Sequence, residues 1–190
     1  FQAGVNVSTG TTNTMIGGFA LGSNTTASEN VAVGYQALYD NTTGEKNTAV
    51  GTAALTNNTT ASNNSAFGRE ALKYNTTGAS NVAVGREALV SNTTASNNTA
   101  VGYQAAYSNT TGFANVALGE SALKANTTAS YNVALGHQTL FSHTGSGINT
   151  AVGALAGYTT TSGGSNTFIG TQAGYLNTTA SNNTAVGYQA

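Results

Sequence analysis

The chain contains no cysteine and no proline, and only 6% of its 190 residues are charged. Without cysteine there is neither a disulfide framework nor a thiolate metal site. Five cations and six acids leave a net charge of −1, which argues against a nucleic-acid partner, because such proteins need many cations to neutralise phosphates. No apolar run approaches the length that crosses a bilayer, so we expect no membrane insertion.

What the chain has in abundance is the phrase Asn-Thr/Val-Ala-Val-Gly, which returns every 17 residues without insertion or deletion. We number each repeat from its opening Asn as position zero. Position two is Ala except at Met15 and Phe168, position three is always apolar, and position four is always Gly. Such a strict period is typical of a solenoid, in which each coil rests on the one before it.

We therefore predict an all-β solenoid (a β-roll) of about eleven 17-residue coils, forming one continuous array over residues 1–190. Stacked at about 4.8 Å, the coils would build a rod on the order of 50 Å long. The residues expected to form structural ladders along it are Asn30, Asn47, Asn64, Asn81, Asn98, Asn115, Asn132, Asn149, Asn166, Gly34, Gly51, Gly68, Gly85, Gly102, Gly119, Gly136, Gly153 and Gly170.

Within one coil, positions one to three are β-rich and bounded by Gly, which predicts a short strand. We expect the Val, Leu and Ile of position three to line the interior with the Ala and Leu ladders, and Asn and Thr to surround it. The segment after the Gly, such as Arg69–Leu72, fits either a second strand or extended arc, which we favour, or one helical turn.

The array begins and ends partway through a coil, and neither end carries a polar cap. Because a free solenoid needs caps to protect its exposed edges, we expect a window of a longer array or a subunit that stacks end to end.

Positions eleven to thirteen read Asn-Thr-Thr in eight of the ten complete repeats. This triplet is good turn chemistry, which is the favoured interpretation, and it is also an N-glycosylation acceptor. Positions eleven and thirteen further suggest a regular amide and hydroxyl grid, as an ice-binding solenoid would have. The candidate glycosylation sites are Asn24, Asn41, Asn58, Asn75, Asn92, Asn109, Asn126 and Asn177.

Reactive groups are few. We expect His137 and His143 to face solvent and to take no part in chemistry. Glu70 and Glu87 share position six on adjacent coils, which is one arrangement for a catalytic carboxylate pair, but the arginines beside them favour a solvated charged patch. We expect no catalytic, metal or cofactor site, and hence no enzyme and no cofactor.

Aromatic residues recur at positions five and nine. Exposed tyrosines could stack on sugars, or they could bury against a neighbouring chain, which we favour. The sites are Tyr35, Tyr103 and Tyr188 at position five, and Tyr39, Tyr107, Phe141, Tyr158 and Tyr175 at position nine.

The stretch Asn98–Gly112, with "NTAVGYQA" and "SNTTG", resembles repeats of bacterial and phage tail-fibre proteins, and the Asn-Thr/Val-Ala-Val-Gly core resembles the head repeat of trimeric autotransporter adhesins. The resemblance covers the whole chain and implies an extracellular fibre, a cell-surface appendage or virion fibre, that self-associates as a trimer or filament. An adhesin or tail-fibre shaft that binds receptors or surface glycans is one alternative, and an ice-binding solenoid is the other.

The irregular stretch His137–Gly174 should be the loosest part of the rod.

Overall fold

Eleven short strands lie in a single sheet in the computed structural model, which describes residues 2–145 and 147–190. Neighbours in the sheet are neighbours in the chain, and every pair is parallel. The all-β solenoid prediction is confirmed. The strands are β1 (Thr14–Ile16), β2 (Val31–Val33), β3 (Thr48–Val50), β4 (Ser65–Phe67), β5 (Val82–Val84), β6 (Thr99–Val101), β7 (Val116–Leu118), β8 (Val133–Leu135), β9 (Asn149–Val152), β10 (Asn166–Ile169) and β11 (Thr184–Val186).

The register places every position on its own copy one coil later. Ala32 lies opposite Ala49, for example, in the pairing of β2 with β3. Hydrogen bonds between coils continue outside the strands, as where the Leu38 N–H donates to the Ala54 carbonyl over 3.0 Å. The backbone of each coil therefore bonds to its neighbours around most of the circumference, which satisfies polar groups that would otherwise lie unpaired.

The segment between the strand and Asn-Thr-Thr folds as two consecutive turns. The Ala54 N–H donates to the Gly51 carbonyl over 3.3 Å, and the Asn58 N–H donates to the Leu55 carbonyl over 3.1 Å. Ala53 and Leu55 have φ angles of 56° and 50°, so the chain alternates between left-handed and ordinary backbone there. The predicted second strand or extended arc is wrong: a coil of 17 residues has to bend sharply to return to its own start, and left-handed residues provide the bend.

The interior is lined by positions two, seven and eight. Ala49, Ala54 and Leu55 are fully buried, and each packs on its copies in the coils above and below. Position three points outward, with Ile16 59% exposed and Leu118 38% exposed, so the prediction that its side chains line the interior is wrong. Positions two and three of a strand face opposite sides, and the narrow interior accommodates the Ala.

One coil has a large aromatic residue in the interior, and two nearby glycines leave room for it. Phe168 occupies position two, where Ala is usual, and is fully buried. Position eight is Gly157 in the coil before it and Gly174 in its own coil, where Leu is usual. A Cβ on Gly174 would lie 2.4 Å from the Phe168 ring, and one on Gly157 would lie 2.9 Å from it. The large ring therefore takes the space that leucine fills elsewhere.

Glycine is required at two positions of the coil. The position-four glycines have φ between 118° and 136°, and a Cβ on Gly85 would lie 2.6 Å from the Gly102 carbonyl oxygen. Position fourteen alternates between Gly and Ala from Gly10 to Ala129, and the sequence then departs from the alternation. A Cβ on Gly44 would lie 2.2 Å from the carbonyl oxygen of Ala61, in the next coil. Over that part of the rod the structural unit is therefore a pair of coils, which the 17-residue count did not predict.

Candidate functional site

The position-zero asparagines lie inside the rod. The backbone N–H of Asn47 donates to Oδ1 of Asn30, one coil earlier, over 2.9 Å. The Asn47 Nδ2 group crosses the coil and donates to the Ala61 carbonyl over 2.8 Å. Such an asparagine therefore joins two coils and also closes its own, as Asn64 and Asn98 do as well.

The position-eleven asparagines form a second internal ladder. Nδ2 of Asn58 donates to Oδ1 of Asn41 and to the carbonyl of Ala61, both over 2.9 Å. The Ala61 carbonyl therefore accepts an amide from each ladder. The prediction that asparagine surrounds the rod is wrong, because amides that bond along the stack leave few polar groups unpaired. The predicted structural role of the position-zero asparagines is compatible with this placement, although on the inside.

Burial bears directly on the proposed glycosylation. Seven of the eight candidate asparagines have no exposed surface, and Asn177 is half-buried. A glycan needs the amide nitrogen in solvent, whereas in these residues that nitrogen donates within the interior. The folded rod has no room for a glycan at the buried sites, which are Asn24, Asn41, Asn58, Asn75, Asn92, Asn109 and Asn126.

The same placement removes one row of the amide and hydroxyl grid. Position eleven faces inward, whereas position-thirteen threonines such as Thr60, Thr77 and Thr94 are exposed. Position-twelve hydroxyls are already engaged, as where Thr59 Oγ1 donates to the Thr76 carbonyl over 3.1 Å. The ice-binding hypothesis is therefore left with one exposed row of the two on which it was based.

The outer side of the sheet forms a continuous surface, which we call the sheet face. It comprises positions one and three of the eleven strands, and none of these residues is charged. Position three is an apolar row, in which Phe67 and Ile169 are about two-fifths exposed, and position one is Val in four coils and Thr or Ser in seven. A three-residue strand is about 10 Å long, so eleven of them stacked over about 50 Å give a face on the order of 500 Å². An exposed apolar row rimmed by polar residues is typical of an interaction surface.

The charged patch is partly buried. Arg86 lies 2.8 Å from Glu87, and Gln104 Nε2 donates to the same carboxylate over 2.7 Å. The Gln104 hydrogen bond, followed by the hydrogen bond and charge of Arg86, lowers the pKa of Glu87 against the opposing effect of burial. Glu70 lies 3.4 Å from Lys73 and 3.4 Å from Arg69. Both carboxylates lie beside cations rather than beside each other's proton, so the ion-paired patch is the better interpretation.

The two histidines differ. The His137 side chain is 48% exposed, as expected, and lies 3.7 Å from Glu120. His143 is fully buried, so the prediction that it faces solvent is wrong: it stands at position eleven, which points into the rod in every coil.

Three of the five aromatic residues of position nine form a column. The rings of Phe141 and Tyr158 stack with centroids 5.2 Å apart, and those of Tyr158 and Tyr175 stack 5.4 Å apart. Because the ring faces cover one another, they are poorly placed to stack on sugars. Tyr35 and Tyr103, at position five, are exposed as expected.

Comparison with family models, with curated proteins and with solved structures finds no match for this chain. The resemblance to tail-fibre and autotransporter repeats therefore stays a prediction. Residues 2–145 and 147–190 contain no helix that could span a membrane. The same residues hold no group of three or more acidic or histidine side chains placed to bind a metal ion.

Sequence reasoning predicted the position-zero ladder but placed it outside, and it missed the position-eleven ladder and the sheet face. The signal for an internal ladder is the constancy of the amide: position zero is Asn in all eleven repeats, whereas positions five and sixteen vary freely. A solvent-facing position has no reason for such constancy. The signal for the sheet face is that position three is apolar throughout while position two is Ala in nine of the eleven repeats.

Proposed function

We propose that this chain is a non-enzymatic structural segment of an extracellular fibre, whose rods associate side by side through the sheet face. The observation that carries the proposal is the uncharged sheet face, whose apolar row at position three runs unbroken across all eleven strands. A second copy has the same coil spacing, so apolar rows on two rods can meet in register along their whole length. The resemblance to fibre repeats supports the extracellular location.

The size of the face sets the expected affinity. Two faces of about 500 Å² would bury about 1,000 Å² in total, which is the low end for specific interfaces. Association of this length of rod should therefore be weak, and it should strengthen with every added coil. That dependence on length suits a fibre, in which many weak identical contacts add up.

The test is sedimentation velocity over a range of protein concentrations. We expect the chain to form dimers or larger species, and we expect Val84→Lys combined with Leu118→Lys, both exposed on the sheet face, to be monomeric. The matched control is Thr94→Lys combined with Thr128→Lys, at exposed position-thirteen sites of the same two coils, which should associate like the original chain.

Circular dichroism checks that both variants keep their β structure. If the two lysines on the sheet face disrupt that structure, Val84→Thr combined with Leu118→Thr takes their place. A chain that stays monomeric at every concentration would refute lateral assembly. Equal loss of association in both lysine variants would show that charge anywhere on the rod, rather than charge on the sheet face, is responsible.

A further inference from the structure

The position-eleven ladder is interrupted at one place. Asparagine occupies it in every coil from Asn24 to Asn126, and His143 and Thr160 follow. Oδ1 of Asn126 would accept from the next rung, yet it has no hydrogen-bond partner among the described residues, and the same holds for Nδ1 of His143 and Oγ1 of Thr160. All three residues are fully buried. Three successive rungs thus carry unsatisfied polar atoms, which are destabilising and uncommon in folded proteins.

The contacts of His143 disfavour a proton on Nε2. This atom lies 3.5 Å from Nδ2 of Asn149, an amide nitrogen that also donates to the carbonyls of Gly163 over 3.0 Å and Gly147 over 3.4 Å. An amide nitrogen donates and does not accept, so it offers no acceptor to Nε2. The charged ring is protonated on both nitrogens, and its Nε2 proton would meet the Asn149 amide as donor against donor.

Among the described residues, no acidic group lies beside the ring to balance the resulting positive charge. Asn126 and Thr160 hold the same position in the preceding and following coils, and the other groups at the ring are Asn149 and the backbone of Gly147 and Thr161. None of these groups is charged. Burial lowers the pKa of His143, and the backbone groups of Gly147 and Thr161 only partly oppose it.

We propose that His143 is a proton-operated break point, at which acid opens the adjoining coils while coils with asparagine at position eleven stay closed. Unfolded histidine takes up its proton near pH 6.5, and the folded ring does so only at lower pH. The folded state therefore binds fewer protons below pH 6.5, so local stability is complete above that pH and declines as the pH falls towards the folded pKa. The inference concerns the interior and is independent of the sheet face.

Hydrogen exchange measured by mass spectrometry at pH 7.5 and pH 5.0 tests the proposal, after correction for the intrinsic pH dependence of exchange. With an unfolded pKa near 6.5, amides in residues 132–165 should open up to about 30-fold more at pH 5.0. Amides in residues 47–98 should be unaffected, because the lowered pKa of Glu87 keeps that carboxylate ionised.

Two variants separate the buried histidine from histidine in general. His143→Asn supplies an Nδ2 donor for Asn126 Oδ1 and should abolish the pH effect. His137→Asn changes the exposed histidine and should retain it. A pH effect that persists in H143N, or that is absent from the original chain, would overturn the proposal.

An NMR titration of the original chain decides the matter if H143N does not fold. The His143 ring should titrate with a midpoint below 6.5, and a midpoint at or above 6.5 would overturn the proposal equally.

Discussion

The substitution Asn58→Asp tests whether the internal amides hold the coils together. It keeps the shape of the side chain but replaces the Nδ2 donor with an oxygen. That oxygen would face Oδ1 of Asn41 and the carbonyl of Ala61, each of which now lies 2.9 Å from Nδ2. Two attractive contacts would become two contacts between acceptors.

The expected loss follows from the partners left behind. Two hydrogen bonds contribute about 1 kcal/mol each. The Ala61 carbonyl keeps its bond from Asn47, whereas Asn41 Oδ1 would lose its donor, at a cost of about 1–3 kcal/mol. The sum is about 3–5 kcal/mol before any burial of charge, and an ionised carboxylate with no cation beside it would add to it.

Local hydrogen exchange is the suitable assay, because the coils of a solenoid open separately and a single unfolding free energy describes them poorly. Amides in residues 41–75 should open more than 100-fold faster at pH 7.5, since every 1.4 kcal/mol corresponds to a factor of ten. The control is Asn63→Asp in the same coil, where the side chain is exposed and the expected change is within about 0.5 kcal/mol. Equal effects of N58D and N63D would refute the internal role of the amide.

Two further predictions concern the backbone and the core, both measured by hydrogen exchange in the coils around the substitution at pH 7.5. Ala114→Gly should stabilise the rod by about 0.5–1 kcal/mol, because φ is 54° at Ala114 and glycine adopts this conformation without strain. The control, Ala154→Gly, is at ordinary φ and should destabilise the rod by a similar amount. If both variants lose stability equally, the strain argument is contradicted. Phe168→Ala should cost about 3–5 kcal/mol, and combining it with Gly157→Leu should recover part of that loss. Purely additive losses in this double-mutant cycle would show that ring and glycine are not coupled.

The fold could be predicted because a solenoid repeats one coil along its axis, and the spacing of the sequence repeat gives the length of that coil. Seventeen residues separate Asn30 from Asn47 and the same number separate Asn47 from Asn64, and each coil has to satisfy its backbone against a nearly identical neighbour. The count therefore determines strand order, direction and register together. The conformation after Gly51 could not be predicted in this way, because a helical turn, an arc and a pair of tight turns all repeat with the same period.

The candidate site was harder to predict because side-chain polarity pointed the wrong way. Asparagine is mostly exposed in globular proteins, so the usual rule places Asn47 outside and Val50 inside. In a stack of equivalent coils, an amide meets another amide above and below it, and burial no longer leaves it unpaired. Each strand is about three residues long, and its constant apolar side chain is at position three. So short a strand does not show by alternation which of its sides faces the interior.

The internal amides also bear on how the chain finds one register. A slip of one residue would place the Asn58 amide outside the ladder, and the loss of its hydrogen bonds strongly disfavours that slip. A slip of one whole coil would keep asparagine against asparagine and would cost nothing at the ladders. The alternation at position fourteen opposes that error, because Ala27 would then take the place of Gly44 beneath the Ala61 carbonyl, where a Cβ lies 2.2 Å from the oxygen. A slip of two coils restores the alternation and is not opposed by it. Only the few coils with unusual interior residues, those that hold Phe168 and His143, oppose such a slip. Identical coils give the rod its ladders, and the departures from identity determine which coil stacks on which.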